Sequence, residues 1–422
     1  MIQIKAIRQD PDRIKAGLRR RGYPYDERID QILELDTQRR RLQQERDQLL
    51  NRNKQLASQV GQAFQSGNLE EGHRLRAEAA HLKSTVKSIE AQLTEITRSL
   101  DLLLLDLPNI PHASVPDGTS ETDNVIVRTY EVGIRAARPI PHWEVAAQLN
   151  LIDFERGAKI TGAGFPLYRG NGARLQRALI NFFLAEAVAA GFEEIWPPYL
   201  VNEHSARGTG QLPDKDDQMY YVCKDNLYLI PTAEVPITNV YRDEILHLKD
   251  LPVKMAGYSP CFRREAGSYG QDVRGLNRLH QFDKVEIVVL SHPAHSYEIL
   301  EEMVAHGERL LQKLALPYRV VSLCTSDLSI ASAKTYDLEV LAAGQQRWLE
   351  VSSISNFETF QSARMQLRFR DENGKLQLVH TLNGSALALP RVVAAILENH
   401  FDGLRIHLPA ALHPYYGEAF IE

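Results

Sequence analysis

Two arginines, two carboxylates and an aromatic ring stand close together between Cys261 and Leu290, in CFRREAGSYGQDVRGLNRLHQFDKVEIVVL. The stretch reads as two strands around a Gly-rich loop, with polar side chains where a buried strand would carry apolar ones. Alternation in the return strand puts His280, Phe282, Lys284 and Glu286 on one face. It puts Leu279, Gln281, Asp283, Val285 and Ile287 on the other. Phe282 and Glu286 therefore share a face four residues apart, ~13 Å at ~3.3 Å per residue. A flat ring at one end and a carboxylate at the other match the reach of an aminoacyl-adenylate from purine to amino group. On the outgoing strand Arg263 and Glu265 share a face two positions apart, next to Arg264. A guanidinium fork grips a phosphate or carboxylate with two parallel hydrogen bonds, which an ammonium cannot do. Alone, such a pair reads as a solvated surface ion pair. The full constellation argues for nucleotide chemistry.

The elements that must hold these residues fall into two textures. From about Asp26 to Phe64 the chain is charged, Gln-rich and free of Pro, with Leu35, Leu42, Leu49 and Leu56 seven residues apart. Gln65-Ser66-Gly67-Asn68 reads as a turn. The return segment carries Leu75, Leu82, Ile89, Ile96 and Leu103 in one register and Val86, Leu93 and Leu100 in the other. That is an a/d seam, and it predicts an antiparallel two-helix coiled coil. The first helix is the imperfect partner, because Arg39, Arg46 and Asn53 fall on its second register. Between Asp36 and Lys54 bases outnumber acids, so a solvated face, a dimerisation coil and an RNA-touching arm are all open on the residues alone. The Pro-rich LDLPNIPHASVPDG, Leu105 to Gly118, reads as a linker. Beyond it, short apolar runs alternate with helices such as 173–190 and 296–314. This predicts an α+β fold, an antiparallel β-sheet flanked by helices.

Composition narrows the partners. The net charge of −5 does not announce a nucleic acid, so any basic surface is local. Cys223, Cys261 and Cys324 lie far apart, which suggests neither a zinc site nor a disulfide framework. The histidines show no metal-ligand spacing, and His280 reads as a hydrogen-bonded strand residue. No GxGxxG or Walker loop follows a strand, so ATP would not sit on a Rossmann or P-loop scaffold. No apolar leader or 18-residue apolar run is present, and a cytoplasmic protein with no membrane partner is expected.

The wording FRREAGS…G.D.RG…R.HQFDKVE closely resembles the second signature motif of class II aminoacyl-tRNA synthetases, and in particular the seryl-tRNA synthetase family. The resemblance extends over essentially the whole chain. It implies residues 1–108 as a tRNA-binding helical arm and 109–422 as the catalytic domain. ARLQRALINFFLAEAVAAGFEEIWPPYLVN resembles the first motif, with Pro198 at its proline and a homodimer interface implied. Pro197-Pro198 should end that strand or leave it at a sheet edge. Thr232-Ala233-Glu234, read as an extended segment, resembles the serine-binding triplet, with Glu234 on the substrate ammonium. HTLNGSALALPRVVAAILENH resembles the third motif, a strand then a helix, placing Asn383 and Ser385 at the serine end. Arg391 opens that helix beside Pro390, facing the triphosphate.

The resemblance implies ATP as substrate, bound by Arg263, Arg264, Glu265, Leu279, Phe282, Glu350, Val351, Ser352, Ser353 and Arg391. L-serine would meet Thr232, Ala233, Glu234, Arg263, Glu286, Asn383 and Ser385. Arg263, Glu265 and Arg391 would act in catalysis. Glu350 and Ser353 would hold Mg²⁺, a hard cation that takes oxygen ligands. Their spacing of three does not fit one strand face, so a bulge near Val351-Ser352 is expected. The acceptor implied is tRNA(Ser), with tRNA(Sec) as a second candidate. The competing readings are a class II synthetase for another amino acid and a non-catalytic, synthetase-like RNA-binding protein. Ser326, Leu341, the Ala163–Pro166 stretch and the C-terminal tail depart from the family's usual wording.

Overall fold

The computed structural model describes residues 1–134, 139–214, 217–265 and 274–422. They form two compact units, one of Ile2–Arg19 and Tyr23–Pro108, the other of Met1, Arg20–Gly22 and Asn109–Glu422.

In the first unit, α1 (Asp26–Gln65) and α2 (Leu69–Asp106) run antiparallel along each other. The reversal falls at the expected turn. Gly67 takes φ +75°, and the Asn68 side chain caps α2 by accepting from Glu71 N. Val86, Ile89, Leu93 and Leu100 of α2 are buried, as the heptads require. On α1 the seam is partly ionic. Asp36 is almost fully buried and held by Arg39 at 2.7 Å and Arg8 at 2.9 Å. The arginine at the imperfect register thus neutralises a seam acid, and Leu42 and Leu49 stay half-buried beside it.

The second unit is built on an eight-stranded sheet. In chain order its strands are β1 (Val125–Tyr130), β2 (Glu193–Glu194), β3 (Val253–Phe262), β4 (Gln281–Ser291), β5 (Tyr318–Ser322), β6 (Lys334–Ala342), β7 (Arg347–Asn356) and β8 (His380–Ala388). The spatial order is β1-β5-β6-β7-β8-β4-β3-β2. All neighbours are antiparallel except the edge pair β2–β3. Strand β2 stops short of Pro197-Pro198 and lies at the edge, where a missing N–H costs no ladder bond. One face of the sheet carries the main core. Val285, Ile287 and Val289 of β4 pack there with Leu179, Phe182 and Phe183 of α4, Leu300 and Val304 of α6, and Val392 and Ile396 of α8. These helices span Gly170–Ala189, Ser296–Lys313 and Leu389–Asn399. The preceding one, α3, spans His142–Gln148. Between α4 and α6 lies the short α5 (Glu234–Thr238), and between α6 and α8 lies α7 (Phe360–Met365). Val288 and Leu290 face the other way, into a smaller cluster with Ile237 of α5 and Met365 of α7. Strand β4 is therefore buried on both faces, and its alternation holds from Lys284 to Leu290, whereas the half-buried Phe282, expected on the Lys284 face, also packs against the main core.

Candidate active site

Strand β4 delivers Lys284 and Glu286 to the face opposite the main core, where both are buried. They form an ion pair. Lys284 Nζ also donates to Thr232 Oγ1 at 2.9 Å, and that hydroxyl donates to Glu286 Oε2 at 3.2 Å. Thr232 does not lie on an extended segment, which corrects the sequence reading. Ala233 is αR and Glu234 begins α5, with Glu234 N donating to Thr232 Oγ1 at 3.2 Å. A Thr followed by an available N–H two residues on closes a local turn in competition with a strand. The turn brings the Glu234 carboxylate to Gln361 Nε2, which donates at 2.7 Å. Burial, reinforced by the nearby Glu286, pushes the Glu234 carboxyl up to about 7. When Glu234 is ionised, two buried carboxylates thus face one ammonium. The cluster has room in its charge balance for a second cation, such as the ammonium of an amino acid.

Register completes this end of the site. Glu286 pairs directly with Ser385 on β8, and Asn383 lies two residues along the same face. Asn383 Nδ2 is buried and turned toward the Glu234 carboxylate, whose proton affinity it lowers. Ser352 Oγ ties β7 to β8 through Ser385 O at 2.6 Å. Lys284 and Gln361 had no role in the sequence reading. Lys284 carried a signal, a lone cation inside an otherwise apolar alternation. Gln361 carried none.

At the other end, Arg263 lies over the Phe282 ring, its guanidinium carbon 5.2 Å from the ring centre, and its Nε donates to Pro231 O at 3.3 Å. The outgoing strand stops at Phe262, so the shared face inferred for Arg263 and Glu265 does not exist. Glu265 takes φ +50° and forms an ion pair with Arg278. Alternation cannot be carried through a left-handed residue. Arg264 pairs with Asp217 at 2.8 Å. Residues 266–273, most of the Gly-rich loop, lie outside the described residues. The side chains of Leu279 and Val351 belong to the main core, and the Ala233 side chain to the smaller one. These three therefore offer a ligand only backbone atoms. His280 is hydrogen-bonded as expected but lies one residue before β4, with Nδ1 2.8 Å from Tyr220 OH and the ring stacked on Phe165.

Arg391 sits in the first turn of α8 after Pro390. It donates through NH1 to Glu350 O at 2.7 Å and through Nε to Asn277 O at 3.1 Å. The expected bulge is present. Ser352 pairs with Leu338 and Glu350 with Glu339, so Val351 is the extra residue on β7. Across from Ser353 lies Asp337, which sequence reading missed. Burial and the neighbouring Glu350 push its carboxyl well above the usual range. Its Oδ1 has no hydrogen-bond partner among the described residues. Among the described residues no three His, Cys, Asp or Glu side chains converge as a self-sufficient metal cage. Two mutually repelling carboxylates, Asp337 and Glu350, with the Ser353 hydroxyl hydrogen-bonded to Asp337, nevertheless fit a hard dication that draws its other ligands from phosphates and water.

Comparison with known proteins decides the family. Residues 1–111 match the family model "Seryl-tRNA synthetase N-terminal domain", and residues 220–400 match "tRNA synthetase class II core domain (G, H, P, S and T)". A serine–tRNA ligase of Salinibacter ruber is 50% identical over 100% of this chain and 99% of its own. The chain belongs to the seryl-tRNA synthetase family. A serine–tRNA ligase of Methylacidiphilum infernorum is 48% identical over the full length of both chains. Among solved structures, seryl-tRNA synthetase from Pyrococcus horikoshii complexed with ATP superposes with TM-score 0.93 at 36% identity, covering 100% of this chain and 99% of that one. A prolyl-tRNA synthetase of Giardia lamblia, at 15% identity and TM-score 0.57 over 66% of this chain and 58% of its own, shares the fold. The class II sheet and the helical hairpin inferred from the motifs are those of this family. Among the described residues no helix is long and apolar enough to cross a membrane.

Proposed function

We propose that the chain is a serine–tRNA ligase working through the site above. A serine carboxylate oxygen attacks the α-phosphorus of ATP, and the bond to the β-phosphate oxygen breaks to release pyrophosphate. The 3′-terminal ribose hydroxyl of the tRNA then attacks the acyl carbon, and AMP leaves with the bonding pair. No covalent enzyme intermediate is needed, so the protein contributes positioning and charge neutralisation. The observation that carries the reading is the buried Glu234–Lys284–Glu286 cluster opposite Ser385, one cation short of balance, inside a full-length match to serine–tRNA ligases.

Glu234 takes the substrate ammonium, and Thr232, Glu286, Asn383 and Ser385 surround the side-chain hydroxyl. A site that hydrogen-bonds a hydroxyl rejects alanine because its own polar groups would be left unpaired. Threonine is excluded by its extra methyl. Arg263 grips the α-phosphate and the substrate carboxylate, and Phe282 stacks on adenine. Glu265, held by Arg278, orients the nucleotide end together with Arg264. Leu279, Val351 and Ser352 offer backbone, and Arg391 meets the β- and γ-phosphates. Glu350 and Ser353, with Asp337 beside them, would hold Mg²⁺, which neutralises phosphate charge when bound.

Residues 1–108 serve as the tRNA(Ser)-binding arm and 109–422 as the catalytic domain. The same arm would take tRNA(Sec). A homodimer through α4 and β2 is part of the proposal, supported by the exposed apolar side chains Val188 and Trp196 around that edge. A cytoplasmic location belongs to the same reading. The test is ATP–pyrophosphate exchange with each of the twenty amino acids, for wild type and Arg263→Ala. Exchange with serine alone is expected, falling at least a hundredfold in the variant. Exchange driven by another amino acid, or a tenth of the activity left without Arg263, would overturn it.

A further inference from the structure

We infer that His142 is a positioning residue for the nucleotide, acting with Glu398 on residues 274–277 and, through them, on Arg391. The inference rests on the assignment of Arg391 to ATP made above. His142 opens α3 and has no exposed surface, and Glu398 lies in the last turn of α8, also buried. An acid at a helix C-terminus is unfavourable, so the helix does not account for Glu398. Four donors do. Its Oε1 accepts from His142 N at 3.0 Å, His142 Nδ1 at 2.8 Å and Gln345 Nε2 at 2.8 Å, and its Oε2 accepts from Gln345 N at 3.0 Å.

The imidazole tautomer follows from its other side. Leu276 N–H donates to His142 Nε2 at 2.8 Å, so Nε2 is a bare lone pair and the ring proton is on Nδ1, shared with Glu398. The ring thus transfers the position of a buried carboxylate to the backbone of the segment that returns from the Gly-rich loop. Gly275 permits this approach, because a Cβ there would lie 2.2 Å from Nε2. The next residue is held as well. Asn277 Nδ2 donates to Gln345 Oε1 at 2.7 Å, and Asn277 O accepts from Arg391 Nε at 3.1 Å. Arg391 and Glu398 are seven residues apart on α8 and so share one helix face. Helix α8 therefore grips Leu276–Asn277 twice, directly through Arg391 and indirectly through Glu398, His142 and Gln345. Displacing the ring frees the segment that holds Nε of Arg391 and leaves the guanidinium with Glu350 alone, while the serine cluster on β4 keeps its contacts.

The two ring contacts can be removed separately. In His142→Asn the amide nitrogen replaces Nδ1 as donor to Glu398, and the acceptor for Leu276 is lost. In His142→Gln the side-chain carbonyl reaches the Nε2 position. In exchange assays on the full-length enzyme, His142→Asn is expected to raise KM for ATP about tenfold, roughly the loss of one buried hydrogen bond. KM for serine stays within about twofold, and His142→Gln recovers most of the ATP affinity. Equal rises for both substrates, or a change confined to kcat and melting temperature, would refute the inference. Should His142→Asn fail to fold, Asn277→Ala lies outside the buried pair and should raise KM for ATP alone about threefold. An unchanged value there refutes it too. Arg391→Ala separates the two layers. If it leaves KM for ATP unaltered, the reading of Arg391 fails. If it raises that KM while His142→Asn and Asn277→Ala do not, only the present inference fails.

Discussion

Replacing Glu234 by Gln should make the enzyme more stable and less active toward serine, and the size of the gain follows from the burial of one carboxylate. Its carboxyl sits at about 7 in the folded protein against 4.5 ordinarily. The folded state therefore holds the proton more tightly than the unfolded chain. Stability is unaffected by this group below pH ~4.5, falls as pH rises, and has lost ~3 kcal/mol above pH ~7, at ~1.4 kcal/mol per tenfold change in proton affinity. Gln keeps the acceptor for Gln361 Nε2 and never ionises, so it removes the loss. The stabilisation by Glu234→Gln should be about 2 kcal/mol greater at pH 8 than at pH 5.5. Denaturant melts at the two pH values measure it. Activity should move the other way. Without the carboxylate the serine ammonium loses a charged acceptor, and kcat/KM for serine should fall by one to two orders of magnitude. In wild type, kcat/KM for serine should fall toward tenfold per unit as pH drops below about 7, because the proton competes with the ammonium. KM for ATP should not follow. An equal stability change at both pH values, or full serine activation by the Gln variant, would show that Glu234 is not the penalised, substrate-binding carboxylate.

Two other perturbations probe the remaining contacts. Glu286→Ala leaves Lys284 buried without its partner and should destabilise the fold by ~3–5 kcal/mol, weakening serine activation far more than ATP binding; equal losses in both substrates argue against its place at the serine end. Replacing residues 41–90 by a short Gly-Ser link removes the outer arm while retaining Arg21, whose guanidinium donates to Leu328 O and Ser329 O within the catalytic unit. The shortened enzyme should keep pyrophosphate exchange and lose at least tenfold in tRNA charging, and undiminished charging would remove the arm's role.

Periodicity and turn chemistry act over a few residues, and what they control could be read directly. The heptads of α2, the reversal at Gly67-Asn68, the alternation of β4, the strand-then-helix at 380–399 and the bulge implied by the spacing of Glu350 and Ser353 all appear in the fold. So does the edge position of β2, because Pro197-Pro198 cannot donate to a ladder. Other features depend on which segments meet. The left-handed Glu265 with its ion pair to Arg278 and the Asp337 carboxylate behind Glu350 each join residues 13 positions apart on different segments, and the turn at Thr232–Glu234 delivers its carboxylate to Gln361, 127 positions away. A charge is costly only once water is removed. Which acids become buried, and which cations reach them, is therefore settled by packing and not by spacing. Lys284 shows both sides of this. Its face, and its neighbour Glu286 two residues on, were written in the alternation of its strand, but its bond to Thr232 required the turn before α5 to arrive from 52 residues away.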